Sequence, residues 1–200
     1  MLSSLNLRTA EHVMDCDRRW LAGLAPRVPD LRRRELLAAL VAGPLLALSP
    51  PIFANSDVLS GLKRRGSGEF RRFGFLVYEA TLWAKDDPQR PPLALRLDYK
   101  RAIEGKAIAA ASVKEMRRFV TDEGLLQRWG ERMQQIFPDV SPGDHILGVY
   151  GSDGARFYQN DNLLGRIELP GFAEAFFSIW LDARTSAPEL RAALLQARNG

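Results

Sequence analysis

The sequence predicts an α+β fold in which a large antiparallel sheet carries helices gathered on one face. Three observations predict it. Strand-like segments precede a central pair of helical segments and return after them, instead of alternating with them as in a parallel α/β fold. The segment Leu93–Tyr99 alternates apolar and polar residues with the period of two that a half-buried strand requires. Residues 143–195 read as short hairpins that lead into an aromatic-rich helix.

The first strands are predicted from residue 62 onward. The Gly66-Ser67-Gly68 triplet marks a turn or a bulge just before residues 73–83. In the first half of that segment, both the odd-numbered and the even-numbered positions are mostly apolar. That pattern is typical of a central strand covered on both faces. A loop at residues 86–92 contains three prolines, which cannot continue a sheet. The strand Leu93–Tyr99 follows it.

Two amphipathic helices are predicted next, at residues 106–119 and 122–137. Apolar residues recur in both segments at helical spacing. Thr121 is the expected N-cap of the second helix, because its hydroxyl can accept a hydrogen bond from a free N–H of the first turn. Pro138 and Pro142 stand after the second helix, which we expect to end there.

The C-terminal part is predicted as hairpins followed by two helices. Strands at residues 146–150 and 155–159 flank a Gly-Ser-Asp-Gly turn, and a second turn leads to a strand at 163–169. Pro170 is expected to open an amphipathic helix that ends near residues 180–182. A short closing helix is expected to begin after Ala187-Pro188.

The N-terminal quarter indicates an export signal. Three arginines at residues 32–34 precede an apolar run at 36–48, which is too short for a comfortable membrane span, and cleavage is expected after Ala54. We predict a leader or start-codon artefact at residues 1–31, a twin-arginine-like signal peptide at 32–54 and the folded domain at 55–200. A periplasmic location follows. A buried helix with a basic cap and a retained membrane anchor are the alternatives, and a general secretory route stays open.

Composition excludes several functional classes. The net charge of +4 and the lack of a basic stripe argue against a nucleic-acid partner. Cys16 is the single cysteine, and His12 and His145 lie far apart, so we predict no metal site and no cofactor. Asp139 and Asp144 could form a carboxylate pair, but their place beside a Pro-Gly turn favours turn capping.

Several motifs together resemble the bacterial chalcone isomerase-like family over residues 62–195. They are the Gly66-Ser67-Gly68 triplet, the strand around Val77-Tyr78-Glu79-Ala80, the strand Leu97-Asp98-Tyr99, the Pro138-Asp139-Val140 turn with Gly143-Asp144, and Phe172–Leu181. The resemblance implies an open-faced β-sandwich, a large antiparallel sheet with helices on one side. It also implies kinship with plant chalcone isomerases and with fatty-acid-binding relatives.

The resemblance does not carry the isomerase reaction with it. Chalcone isomerases place an arginine just after the Gly-x-Gly turn, and the matching residue here is Phe70. They hold a tyrosine and an asparagine seven residues apart on the helix after the third strand, where this chain has Ile108 and Glu115. Their strand threonine corresponds to Tyr78, as in the fatty-acid-binding relatives. Flavonoid cyclisation is therefore not expected, and no catalytic residue is assigned.

The fatty-acid-binding relatives suggest three ligand-binding candidates. Those proteins hold an acyl chain between sheet and helices, with an arginine and a tyrosine at the carboxylate, which is a strong charge-assisted contact. The candidates here are Tyr78, Tyr99 and Arg101. Arg101 shares the parity of Tyr99 and would lie at the end of the apolar face. Alternatively, Arg101 is a strand-end residue that reaches water, and Tyr78 is a core tyrosine.

We therefore expect an exported, non-catalytic domain that binds a small apolar or fatty-acid-like ligand in the cleft between sheet and helices. One alternative is an isomerase of the intramolecular lyase type acting on an unknown substrate. The other is a ligand-free interaction module of the cell envelope. A roomy apolar cleft containing Arg101 and Tyr78 would favour the first two, and a cleft filled by Phe and Trp side chains would favour the third.

Overall fold

The structure is a computed structural model that describes residues 58–196. Six antiparallel strands form one open sheet, in which each strand pairs with the next along the chain. The elements are β1 Lys63–Arg72, β2 Phe75–Ala84, β3 Leu93–Tyr99, α1 Gly105–Met116, α2 Glu123–Ile136, β4 His145–Gly151, β5 Gly154–Gln159, β6 Asn162–Ile167, α3 Phe172–Leu181 and α4 Pro188–Leu195. The predicted α+β class is confirmed. The predicted leader and signal peptide lie outside the described residues.

The core lies between the sheet and the helices. One row of neighbouring residues across the sheet shows how the sheet side of the core is built. The row runs from β2 to β5 through Leu82, Leu95, Gly148 and Phe157. Both leucines and Phe157 are buried. Gly148 leaves room for the Phe177 ring of α3, since a Cβ there would lie 3.2 Å from Cζ of that ring. The missing side chain lets α3 pack close to the sheet.

The Gly66-Ser67-Gly68 triplet is not a turn but lies inside β1, where it pairs with β2 directly after a bulge at Arg65. The register with β2 shifts between Arg64 and Gly66, because β1 holds one extra residue there. A Cβ at Gly66 would stand 2.1 Å from the carbonyl oxygen of Ala193. The glycine therefore allows the backbone of α4 to rest directly on β1.

Helix boundaries follow the predictions to within a few residues, with two corrections. The prediction of Thr121 as the N-cap of α2 is wrong, because the carboxylate of Asp122 occupies that position and accepts the Leu125 N–H at 2.9 Å. Pro170 does not open α3, since Gly171 forms the N-cap in the left-handed region with φ 74°.

Each of the two loop carboxylates accepts a backbone N–H, but only Asp144 caps a turn as predicted, whereas Asp139 caps the first residue of α1. Asp139 accepts the backbone N–H of Gly105 at 2.9 Å, and Asp144 accepts that of Ser141 at 2.7 Å. The hydrogen bonds from Asn160 and from the Ser141 N–H lower the pKa of Asp144. These contacts fix the loops that join the helices to β4.

Within residues 58–196, no helix is long and apolar enough to cross a bilayer.

Candidate functional site

A cavity of about 110 Å³ lies between the first three strands and helices α1 and α3. It is set at the end of the sheet where β1 turns into β2 and where β3 ends. Most of its walls are apolar. The lining residues include Phe70, Arg72, Val77, Tyr78, Leu97, Tyr99, Ile103, Ile108, Ala111, Ser112, Glu115, Phe137, Ile146, Phe176, Ile179, Trp180 and Thr185.

Two of the predicted residues, Tyr78 and Tyr99, meet in this cavity. They are direct neighbours on β2 and β3, and their rings stand edge to face with centroids 6.0 Å apart. The ring of Phe70 stacks on Tyr78 at 4.9 Å. Tyr78 retains some accessible surface, whereas Tyr99 is buried. The three rings make an aromatic wall at one end of the cavity.

The Tyr78 hydroxyl is oriented by a tryptophan of α3. The indole Nε1–H of Trp180 donates a hydrogen bond to the Tyr78 oxygen at 3.0 Å. Because that oxygen already accepts a hydrogen bond, the O–H of Tyr78 is left to donate one. The geometry therefore presets this hydroxyl to donate a hydrogen bond to an acceptor atom.

Both tyrosines stay neutral near physiological pH. Burial raises the pKa of Tyr78 well above its ordinary value, the hydrogen bond from Trp180 acts in the opposite direction, and the charge of Glu115 adds to the rise. Burial also raises the pKa of Tyr99, with a smaller contribution from Tyr78. Neutral phenols can donate and accept hydrogen bonds, but they cannot act as phenolate bases at neutral pH.

Arg101, the third predicted residue, does not join the two tyrosines in the cavity lining. Strand β3 ends at Tyr99, so the alternation of faces does not extend to Arg101. Its guanidinium lies over the ring of Phe75, 4.6 Å from the centroid. The structure thus brings Tyr78 and Tyr99 together and places Arg101 beside the β1–β2 hairpin.

Arg72 is the cavity arginine that sequence reasoning missed. Along β1, residues 66, 68, 70 and 72 are more buried than their neighbours, which places Arg72 on the same face as Phe70. Strand alternation predicts this placement, since Arg72 is two residues after Phe70, whereas Arg71 falls on the other face. Arg71 itself lies outside the lining and pairs with Glu69 at 2.8 Å.

The positions matched to the isomerase residues all line the cavity. Phe70 comes from β1, and Ile108 and Glu115 come from α1. The three positions of the predicted correspondence therefore lie in one cavity. The side chains differ in chemistry, since a ring, an aliphatic chain and a carboxylate stand where the isomerases use a cation, a phenol and an amide. Glu115 forms an ion pair with Arg118 at 3.0 Å.

Two buried hydroxyls in the cavity wall donate their hydrogen bonds to backbone carbonyl oxygens of the protein. Ser112 donates to the carbonyl oxygen of Ile108 at 2.9 Å, and Thr185 donates to that of Ile179 at 2.6 Å. The other charged or hydroxyl-bearing side chains of the lining are Arg72, Tyr78, Tyr99, Glu115 and Ser186. Among residues 58–196, no group of three or more His, Cys, Asp or Glu side chains could hold a metal ion.

Comparison with known proteins identifies similar chains. A family model described as chalcone isomerase-like matches residues 60–196. An uncharacterized protein of Haemophilus influenzae is 32% identical over 133 residues, which cover 65% of this chain and 66% of that protein, just under two thirds of its length. The crystal structure of a fatty-acid binding protein of Arabidopsis thaliana superposes with a TM-score of 0.53 at 11% identity, covering 68% of this chain and 87% of the plant protein. The plant structure shares the fold.

Proposed function

The chain belongs to the chalcone isomerase-like family, and on that premise we propose that it is a non-catalytic binder of a small apolar acid of the fatty-acid type. The ligand would occupy the cavity between the sheet and helices α1 and α3. The observation that carries the proposal is an apolar cavity with an arginine and two tyrosine hydroxyls in its lining. The fatty-acid binding named for the plant structure of the same fold adds support.

The polar lining suits a carboxylate head group. The guanidinium of Arg72 can form a charge-assisted hydrogen bond with it, and the Tyr78 O–H is preset as a donor. Glu115 opposes an anion, but its ion pair with Arg118 offsets part of that charge. The aliphatic and aromatic walls then take the apolar tail.

The volume of the cavity limits the size of the ligand. An engineered protein cavity of about 150 Å³ binds benzene, so about 110 Å³ fits a short acyl segment or a small ring. Typical sites for larger ligands span roughly 300–1,000 Å³. A medium-length acid such as octanoate or decanoate would place part of its chain in this volume and extend the rest through the open side of the cavity. Small or medium-length acids are therefore the first ligands to test.

The cavity chemistry favours binding over catalysis. The positions of the isomerase cation and amide carry Phe70 and Glu115, which cannot polarise a ketone or stabilise a phenolate in the same way. The tyrosines are neutral phenols and provide no base at neutral pH. The ligand-free module has less support, since a cavity remains between the aromatic side chains.

We also propose that the protein is exported and acts in the periplasm. The support for this is the sequence pattern of residues 32–54, with its arginines, apolar run and cleavage site. The denatured mass of protein recovered from the periplasm tests it. We expect the mass of a chain that begins at Asn55. Recovery of the uncleaved chain from the cytoplasm would overturn the export proposal.

Native mass spectrometry of the gently purified protein tests the binding proposal. We expect a small apolar acid that is released on denaturation, or a complex that forms when octanoate or decanoate is added. Ala111→Phe places a ring in the cavity and should abolish the complex. Ala110→Phe, on the exposed side of the same helix, is the matched control and should keep it. No complex with the acids, or equal binding by both variants, would refute the proposal.

A further inference from the structure

The tip of the β1–β2 hairpin exposes two aromatic rings to solvent. Phe73 is 67% exposed, the largest value among the exposed large hydrophobic residues of the described part, and Phe75 is 56% exposed, the same as Leu163 on β6. Phe73 and Gly74 have φ of 49° and 79°, both in the left-handed region, and they form a tight two-residue turn between paired Arg72 and Phe75. The rings therefore stand on a narrow projection of the sheet.

Cationic groups surround these rings. The guanidinium of Arg101 lies over Phe75, and that of Arg72 lies 5.2 Å from the centroid of Phe73. Arg71 pairs with Glu69, and Lys100 pairs with Glu79. The charges of these two pairs cancel, and Arg101 adds a cation directly beside Phe75. Exposed aromatic rings with an adjacent guanidinium group complement the interface of an anionic bilayer.

A projection of this size fits a lipid surface better than a protein partner. A stable protein interface needs about 800 Å² on each side, which two rings on a hairpin tip do not provide. A fluid bilayer requires no matching shape, and it accepts aromatic rings at the depth of the head groups. The guanidinium of Arg101 beside Phe75 can then contact a lipid phosphate.

The hairpin is also part of the cavity wall. Phe70 and Arg72 of β1 line the cavity, and Arg72 is one residue from the exposed Phe73. We propose that this hairpin tip docks the protein on an anionic lipid bilayer, so that the cavity exchanges its apolar ligand with the membrane. The inference rests on the proposed function for its ligand, but the docking surface can be tested by itself.

A fluorescent probe at the hairpin tip tests the docking directly. The full chain with Cys16→Ser carries Phe73→Cys, labelled with an environment-sensitive nitrobenzoxadiazole group. With vesicles of equal parts phosphatidylcholine and phosphatidylglycerol, the probe should shift to the blue and brighten several-fold. Pure phosphatidylcholine should give a much smaller response, because the cations then lack anionic partners. The probe reports on position 73 whatever other segments of the chain do.

Leu169→Cys in the same background is the matched control. Leu169 is also an exposed apolar residue, but it follows β6 at the opposite end of the sheet. Its probe should stay in water with both kinds of vesicle. An unchanged probe at position 73, or equal responses at positions 73 and 169, would overturn the docking surface.

A second variant separates docking from ligand binding. The double substitution Phe73→Asn and Phe75→Ser removes both rings and should slow the transfer of decanoate from anionic vesicles roughly a hundredfold, since each lost ring costs about tenfold in partitioning. Its affinity for free decanoate in buffer should match that of the wild type. Wild-type transfer by this variant would overturn the proposal. If the wild type binds decanoate while the probe at position 73 stays in water, the docking proposal fails and the ligand-binding proposal stands. If the probe enters the bilayer without decanoate binding, docking stands and the cavity function fails.

Discussion

Replacing Tyr78 by Phe removes one oxygen from the cavity and tests the arrangement around it. The ring and its stack on Phe70 can remain, but the indole N–H of Trp180 loses its acceptor. Trp180 is only 6% exposed, so few solvent contacts can compensate. A buried donor left without a partner costs about 1–3 kcal/mol. We expect the free energy of unfolding to fall by that amount.

Urea unfolding followed by circular dichroism measures the loss. Tyr99→Phe is the matched control, because Tyr99 lines the same cavity and is not the acceptor of the Trp180 N–H. It should cost less than Tyr78→Phe. A double-mutant cycle with Trp180→Phe then isolates the hydrogen bond, and its coupling energy should be about 0.5–1.5 kcal/mol. Additive effects, or no loss in Tyr78→Phe, would refute the geometry inferred for this pair.

Three further predictions concern the titration of the cavity, its charge and the packing of α4. Burial raises the pKa values of Tyr78 and Tyr99, so their contribution to stability is present below pH ~10 and is lost as the pH rises further. Ultraviolet absorbance should therefore show the ionisation of these two tyrosines only together with unfolding of the protein. Normal titration of all tyrosines in the folded protein would contradict this. Glu115→Gln removes a negative charge from the cavity lining and should tighten the binding of decanoate roughly threefold in calorimetry, whereas weaker binding would argue against an anionic ligand. Gly66→Ala should detach α4 and lower the midpoint of thermal unfolding, since the new Cβ would lie 2.1 Å from a backbone oxygen. The control Gly124→Ala in α2 should be neutral or stabilising. Equal unfolding midpoints for the two variants would contradict the close contact between α4 and β1.

Most of the fold could be predicted from the sequence because its signals are local. The alternation in β3 and the helical spacing in α2 depend on residues a few positions apart, and both elements were placed to within a residue or two. The N-cap of α2 was misplaced because Thr121 and Asp122 are both good capping residues. Only the path of the chain decides between neighbours of that kind.

The candidate site was only partly predictable, for a different reason. Tyr78 and Tyr99 follow from strand parity together with the family resemblance, and both line the cavity. Arg101 lies past the end of β3, where parity no longer tells which way a side chain points. Arg72 has the same strand parity as Phe70 on β1, so the parity argument also predicts that it faces the cavity. The Trp180 hydrogen bond joins residues 102 positions apart, and no local pattern indicates it.

The position of a bound acid inside the protein tests the central claim most directly. The measurement is a nuclear Overhauser experiment on the full chain with carbon-13-labelled decanoate, selecting contacts between ligand and protein protons. The account predicts contacts from the acyl chain to Ile108 and Phe137 and from the carbons near the carboxylate to the Tyr78 and Tyr99 rings. Contacts confined to residues outside the cavity, or none at saturating decanoate, would contradict it.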